Sequence, residues 1–170
     1  MKRLVLDLET TVQKMGSKTD NSPFNPDNSC VSAHFGWLTD EGLGEVTNLV
    51  FNHNEQPTPD SMQPLIDAVE TADVLIAYNA KFDAMWLQEM GITLPAIIRC
   101  AMINEYILAK GQRKQLSLKA TANRRDVTRK KSDLVDDLFK SGTGFEAMPL
   151  ATVLEYAEAD VISCAEVFLQ

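Results

Sequence analysis

LVLDLET, residues 4–10, reads as a β-strand that carries charge where a strand should be apolar. Successive strand side chains alternate, so Leu4, Leu6 and Leu8 share one face and Val5, Asp7 and Glu9 the other. Acids two residues apart on a strand stand about 7 Å apart at Cα. At an effective dielectric near 20 they repel by roughly 2 kcal/mol, a sizeable part of a small domain's net stability. A bound divalent cation reverses the sign of that interaction. Asp7 lies between Leu6 and Leu8, before the strand has ended, so a buried charge there requires a cation or a hydrogen-bonded partner.

Outward from this strand, residues 11–29 hold Ser22-Pro23 and Asn25-Pro26 among Gly, Asn and Asp, and read as a long irregular loop. VSAHFGWL (31–38) and EVTNLVF (45–51) read as a second and a third strand around a turn, an antiparallel signature. Ser61 is expected to cap a helix bearing Met62, Leu65, Ile66 and Val69 at helical spacing. VLIAY (74–78) suits a buried strand. Asn79 then caps a helix that carries Phe82, Met85, Trp86 and Met90 and stops at Gly91. IIRC (97–100) reads as a last short strand before a helix over 102–109, and a short helix is expected over 116–123. Ser132 is placed as the cap of another, with Leu134, Val135, Leu138 and Phe139 as its apolar side. The final helix starts near Met148-Pro149, and Leu150, Val153, Leu154, Ala157, Val161, Cys164 and Phe168 form its core stripe. It runs uncapped to Gln170, as expected of one domain, residues 1–170, excised from a longer protein. Strands followed by alternating helices and strands give an α/β fold, a mixed sheet with antiparallel first three strands and flanking helices.

A chain of 170 residues, 45% hydrophobic, suits a single globular domain. No apolar run is long enough for a membrane span, and MKRLVLDLET is not a signal peptide. Three cysteines without pattern argue against a disulfide framework or a zinc site and point to an intracellular, cytoplasmic setting, a host cell's if the source is viral. Net charge is −8, but Lys110–Lys131 carries nine cations against Asp126 alone, leaving −16 on the remainder. A basic segment on an acidic body can follow phosphates locally.

Each acid has an ordinary reading when taken singly. Asp83 suits the first turn of a helix, where the macrodipole favours it. Asn79 is a cap, Phe82 a core residue, and Tyr156 and Asp160 the edge of an amphipathic helix. His34 and His53 lack metal-ligand spacing, and His34 reads as packing or strand surface.

Together the segments are far more specific. LVLDLETT, VLIAYNAKFD and YAEADV occur in this order. In them the chain resembles the DEDD (DnaQ-like) 3′→5′ exonucleases of the ribonuclease H-like fold, with D-x-E-T, N-x-x-x-D and Y-x-x-x-D as their three motifs. Tyrosine four before Asp160, with Glu155 at the position of the sister subclass's histidine, marks the tyrosine subclass. The nearest resemblance is to proofreading domains of phage-type family A DNA polymerases, which implies a covalently linked polymerase as partner.

The resemblance implies that Asp7, Glu9, Asp83 and Asp160 hold two divalent ions, Mg²⁺ or Mn²⁺, and that Tyr156 orients the attacking water. Hard oxygen ligands suit those metals. Thr10 and Asn79, and with less support Phe82, match positions that contact the terminal nucleotide. The implied activity is hydrolysis of a single-stranded or frayed DNA 3′ end to nucleoside 5′-monophosphates, with no membrane partner. Two alternatives stay open: an exoribonuclease of the same superfamily, and an inactive ribonuclease H-like module used for binding.

Overall fold

β1 (Arg3–Thr10) runs through the middle of the sheet and keeps the two faces its alternation requires. The computed structural model describes residues 1–15, 18–128 and 133–170. Leu4, Leu6 and Leu8 pack with Leu65 and Val69 of α1 (Gln63–Thr71) and with Trp86 and Leu87 of α2 (Ala80–Glu89). Val5, on the other face, packs with Val161 and Cys164 of α6 (Leu150–Leu169). Ala101 of α3 (Ala101–Leu108) and Leu118 of α4 (Leu118–Arg125) join that second layer. A third cluster joins Val31 of β4 (Cys30–Thr39), Val135 of α5 (Asp133–Lys140), Phe145, Met148 and Val153.

The sheet order is β5 (Gly42–Leu43), β4, β1, β7 (Val74–Ala77), β8 (Ile97–Cys100), with β6 (Thr47–Val50) also paired to β4. β1 is antiparallel to β4 and parallel to β7, which is parallel to β8. The result is a mixed sheet with helices on both faces, as the order of elements in the sequence implied. No described helix is long and apolar enough to cross a membrane.

Several local expectations give way to tertiary context. The third strand is not one run over 45–51: β5 (Gly42–Leu43) and β6 (Thr47–Val50) pair with opposite ends of the ten-residue β4. Gly42, at φ +122°, turns the chain between β4 and β5. The 11–29 segment contains a small hairpin, β2 (Gln13–Met15) and β3 (Lys18–Asp20). Its return arm is built by side chains. Asp20 accepts from the Ser22 N–H at 2.9 Å and from Asn25 Nδ2 at 2.9 Å, and Asn28 Nδ2 donates to the Ser22 carbonyl at 2.9 Å. Trp86 Nε1 donates to the Asn21 carbonyl at 3.2 Å, tying this loop to α2.

Met62, not Ser61, takes the cap position of α1, although Ser61 Oγ accepts the Gln63 N–H at 3.2 Å. α4 begins at Leu118 because Ser117 Oγ accepts the Ala120 N–H at 3.2 Å, a side-chain cap that the apolar spacing alone does not locate. Leu134 is exposed rather than part of the apolar side of α5, while Val135 is buried. Ser132 and the cations 129–131 lie outside the described residues. α6 is buried more broadly than a stripe, since it packs on β1 and also borders the third cluster.

His34 is fully buried in β4, so the surface half of its reading does not hold. Its Nδ1 lies 2.7 Å from Asn48 Oδ1 and its Nε2 2.7 Å from Ser32 Oγ. Burial pushes its pKa down to about 4, against a partial opposing effect of Asn48. Because the unfolded imidazole titrates near 6.5, the stabilisation is complete above that pH and is lost as pH falls toward 4. The loss reaches about 3 kcal/mol by linkage. Urea unfolding at pH 7 and pH 5 should therefore show a steeper acid decline in the parent than in His34→Gln, and identical declines would contradict the assignment.

Candidate active site

Parallel pairing of β1 with β7 brings two strand ends together. Val5 stands beside Ile76, and continuing that register puts Asp7 level with Tyr78, where β7 has ended and the chain enters α2. Ligand sites in open α/β sheets lie outside such carboxyl ends. Asp7 is half-buried there and Glu9 is buried, both on the face toward α6. Asp160, one helical turn beyond Tyr156 on α6, meets them from above. Ligand oxygens of Asp7, Glu9 and Asp160 all lie within 4.8 Å of one another. At an effective dielectric near 20, each ionised pair at such separations repels by about 3 kcal/mol. The donor set is oxygen only, which fits a hard divalent cation such as Mg²⁺ or Mn²⁺.

Asp83 enters from α2. It is 3% exposed, and its Oδ1 is buried without a hydrogen-bond partner. Burial raises its pKa to about 7, while hydrogen bonds from the backbone N–H groups of Asp83 itself and of Leu8 hold it lower. A buried carboxylate oxygen left unmatched at a cleft is the arrangement expected where a cation or its water completes the shell.

Asp7, Glu9, Asp83, Tyr156 and Asp160 line one cleft of about 560 Å³. Tyr156 is buried, and burial first, then the Asp160, Glu9 and Asp7 carboxylates, raise its pKa far above the usual phenol range. Its hydroxyl therefore stays protonated at any working pH. Phe145 backs the ring at a centroid distance of 5.7 Å and is in turn met edge-on by Phe139 at 4.8 Å. The same negative field reaches two thiols. Burial, then Glu9 and Asp83, raise Cys30, and burial, then Asp7 and Asp83, raise Cys164.

Asn79 occupies the N-cap position of α2 but makes no side-chain cap bond; it is exposed and lines the cleft. Phe82 does two things at once, packing against the first core cluster and facing the cleft. Thr10 is buried at the end of β1 and is not among the cleft-lining residues.

The opposite wall was not legible from motifs. Met102, Leu116, Ser117 and Leu118 form it. Tyr78 holds it in place, its hydroxyl hydrogen-bonding the Leu116 carbonyl at 2.8 Å and the Thr121 hydroxyl at 2.7 Å. Glu105 of α3 clamps α4, pairing with Arg124 Nη2 at 2.9 Å and with Arg125 through Nε at 2.9 Å and Nη2. Lys119 pairs with Asp133 at 3.0 Å and Asp136 at 3.5 Å. Part of the basic segment thus serves to fix helices. The sequence offered one signal for this, the lone acid Glu105 one helix upstream of an Arg-Arg pair.

The 3′-5′ exonuclease family matches residues 41–170, a span that holds Asp83, Tyr156 and Asp160 and begins after β1. Among solved structures the fold is similar to the apo form of a nuclease, at 17% identity and TM-score 0.66 over 98% of this chain and 69% of that one. It is also similar to exonuclease X in complex with 5′-overhanging duplex DNA, at 10% identity and TM-score 0.54 over 98% and 90% of the two chains. A third similar structure is a 3′-exonuclease in 3′-end-specific recognition of a histone mRNA stem-loop, at 11% identity and TM-score 0.54 over 99% and 80%. Identities this low concern the fold, and that fold is ribonuclease H-like. No curated protein sequence matches the chain. With the match extending over most of its length, this chain belongs to the 3′-5′ exonuclease family.

Proposed function

We propose that the chain is a metal-dependent 3′→5′ exonuclease of the tyrosine subclass that removes nucleoside 5′-monophosphates from single-stranded or frayed DNA ends. The observation that carries this reading is the convergence of Asp7, Glu9 and Asp160 oxygens within 4.8 Å, in a cleft shared with Asp83 and Tyr156. Asp7, Glu9 and Asp160 would hold one divalent ion, and Asp7 with Asp83 a second. Two such ions supply charge compensation and a water acidic enough to react near neutral pH.

The side chains do the positioning. Tyr156, kept protonated, hydrogen-bonds the attacking water and sets its line of approach without serving as the base. Phe82 and the Leu116–Leu118 wall offer apolar surface to an unstacked terminal base, and Asn79 a polar contact at the mouth. Water oxygen bonds to the terminal phosphorus, giving up a proton to solvent, as the bond from phosphorus to the 3′ oxygen breaks. The leaving oxygen takes a proton from solvent, leaving a shortened strand with a 3′ hydroxyl. Proofreading beside a linked family A polymerase of phage type is the setting that the motif resemblance favours.

Release of mononucleotides from 3′-labelled single-stranded DNA with Mg²⁺ tests the assignment. Asp7→Ala and Asp160→Ala should each lower kcat by about 10³-fold or more. Wild-type rates in either variant would refute it. Tyr156→Phe, which keeps the ring against Phe145, should lower kcat by about 10²-fold with KM little changed. Faster turnover of a matched RNA oligonucleotide than of DNA would instead assign the exoribonuclease alternative. Metal binding has its own readout. Mn²⁺ at about 100 times its Kd should stabilise the protein by about 2.7 kcal/mol in thermal unfolding. Glu9→Gln should remove most of that increment.

A further inference from the structure

The outer face of α3 is apolar and exposed. Ile103, Tyr106 and Ile107 are 55%, 66% and 64% exposed and stand at i, i+3 and i+4, on one side of the helix. Large exposed apolar patches on a small domain mark binding surfaces. Three observations identify what this one binds.

The first is continuity with the cleft. Met102 lines it, and Tyr106 stands one turn further along the same face of α3, about 6 Å on. Lys110 follows the C-cap, Ala109, just past the end of the helix.

The second is charge. The acid of α3, Glu105, is 4% exposed and committed to Arg124 and Arg125, so it contributes no negative field to the ridge. Beyond the ridge, Lys110 at φ +47° and Gly111 at φ +79° turn the chain back. The Gln112 N–H donates to the Ala109 carbonyl at 2.9 Å and the Lys114 N–H to the Gln112 carbonyl at 2.9 Å. Lys110, on this turn, and Arg113 and Lys114, just after it, are exposed. The third is rigidity: the Glu105 clamp fixes α3 to α4, so the ridge is preorganised rather than ordered on binding.

An aromatic and aliphatic platform followed by three cations, on a chain of net charge −8, matches a single nucleic-acid strand, whose bases stack and whose phosphates need positive charge. We propose that the face of α3 from Met102 through Tyr106, with the turn at Lys110 that follows it, is the track for nucleotides upstream of the scissile bond, with Tyr106 stacking a base and Lys110, Arg113 and Lys114 taking phosphates. This inference rests on the exonuclease reading and extends its substrate site from the terminal nucleotide to the strand behind it.

Two substrates separate the two claims. The p-nitrophenyl ester of thymidine 5′-monophosphate has no upstream nucleotides, whereas a single-stranded 12-mer fills the ridge. Tyr106→Ala should raise KM on the 12-mer about tenfold while leaving ester turnover and kcat unchanged, and Tyr106→Phe should restore the parent KM. Lys110→Gln should lower the salt dependence of 12-mer binding by about 0.7 in log–log slope, measured by anisotropy with Ca²⁺ in place of Mg²⁺. Unchanged KM and affinity in Tyr106→Ala would overturn the track, as would an equal loss on the ester. Unchanged 12-mer affinity with an altered oligomeric state by light scattering would likewise overturn it, assigning the face to a second copy. Failure of the wild type on both substrates would count against the exonuclease reading, and anisotropy would still decide the track.

Discussion

Mutual repulsion among buried carboxylates is the constraint around which this molecule is built. Three oxygen ligands within 4.8 Å, with a fourth acid buried beside them, cost stability that the remainder of the fold must offset. It does so by placing each acid on an element anchored by packing behind it. Asp7 and Glu9 sit on the strand whose other face carries Leu4, Leu6 and Leu8. Asp83 shares α2 with Trp86 and Leu87, and Asp160 precedes Val161 and Cys164 on α6. Local sequence rules are broken at the acids of the candidate site, as expected of functional positions.

The sheet topology turns this into a cleft. Antiparallel pairing with β4 and parallel pairing with β7 leave the last residues of β1 without a neighbour on one side. Asp83 of α2 stands at that free end, where the Leu8 backbone opposes the upward push of burial on its carboxyl. α6 closes the cleft from the other layer with Tyr156 and Asp160, and α4 is pinned opposite by Tyr78 and Glu105.

Much of this was readable in the sequence, because strand alternation and helical spacing are local. The faces of β1, the existence of α2 and α6 and the mixed sheet all follow from residue order. What escaped depended on contacts between distant residues. β4 is long enough to take two partners, so the segment after it split into β5 and β6, which no pattern within 45–51 announces. Leu116 is held at the cleft by Tyr78, 38 positions earlier, whose hydroxyl bonds its carbonyl and the Thr121 hydroxyl. Thr10, which motif matching placed at the nucleotide, is buried at the end of β1. Arg124 and Arg125 read as surface charge, and a single buried glutamate changes their role.

The buried thiols beside the acids carry a consequence for handling and for durability. Oxidants and alkylating reagents attack thiolates, and Cys30 and Cys164 are held as thiols by burial first and then by the carboxylates that define the cleft. Electrophiles are thereby directed to half-exposed Cys100 at the end of β8, whose Sγ lies 3.2 Å from the Tyr78 carbonyl. A reagent acting there would perturb the Tyr78 corner before it reached the acids, so chemical ageing of this protein should begin at the cleft's far wall and spare its centre.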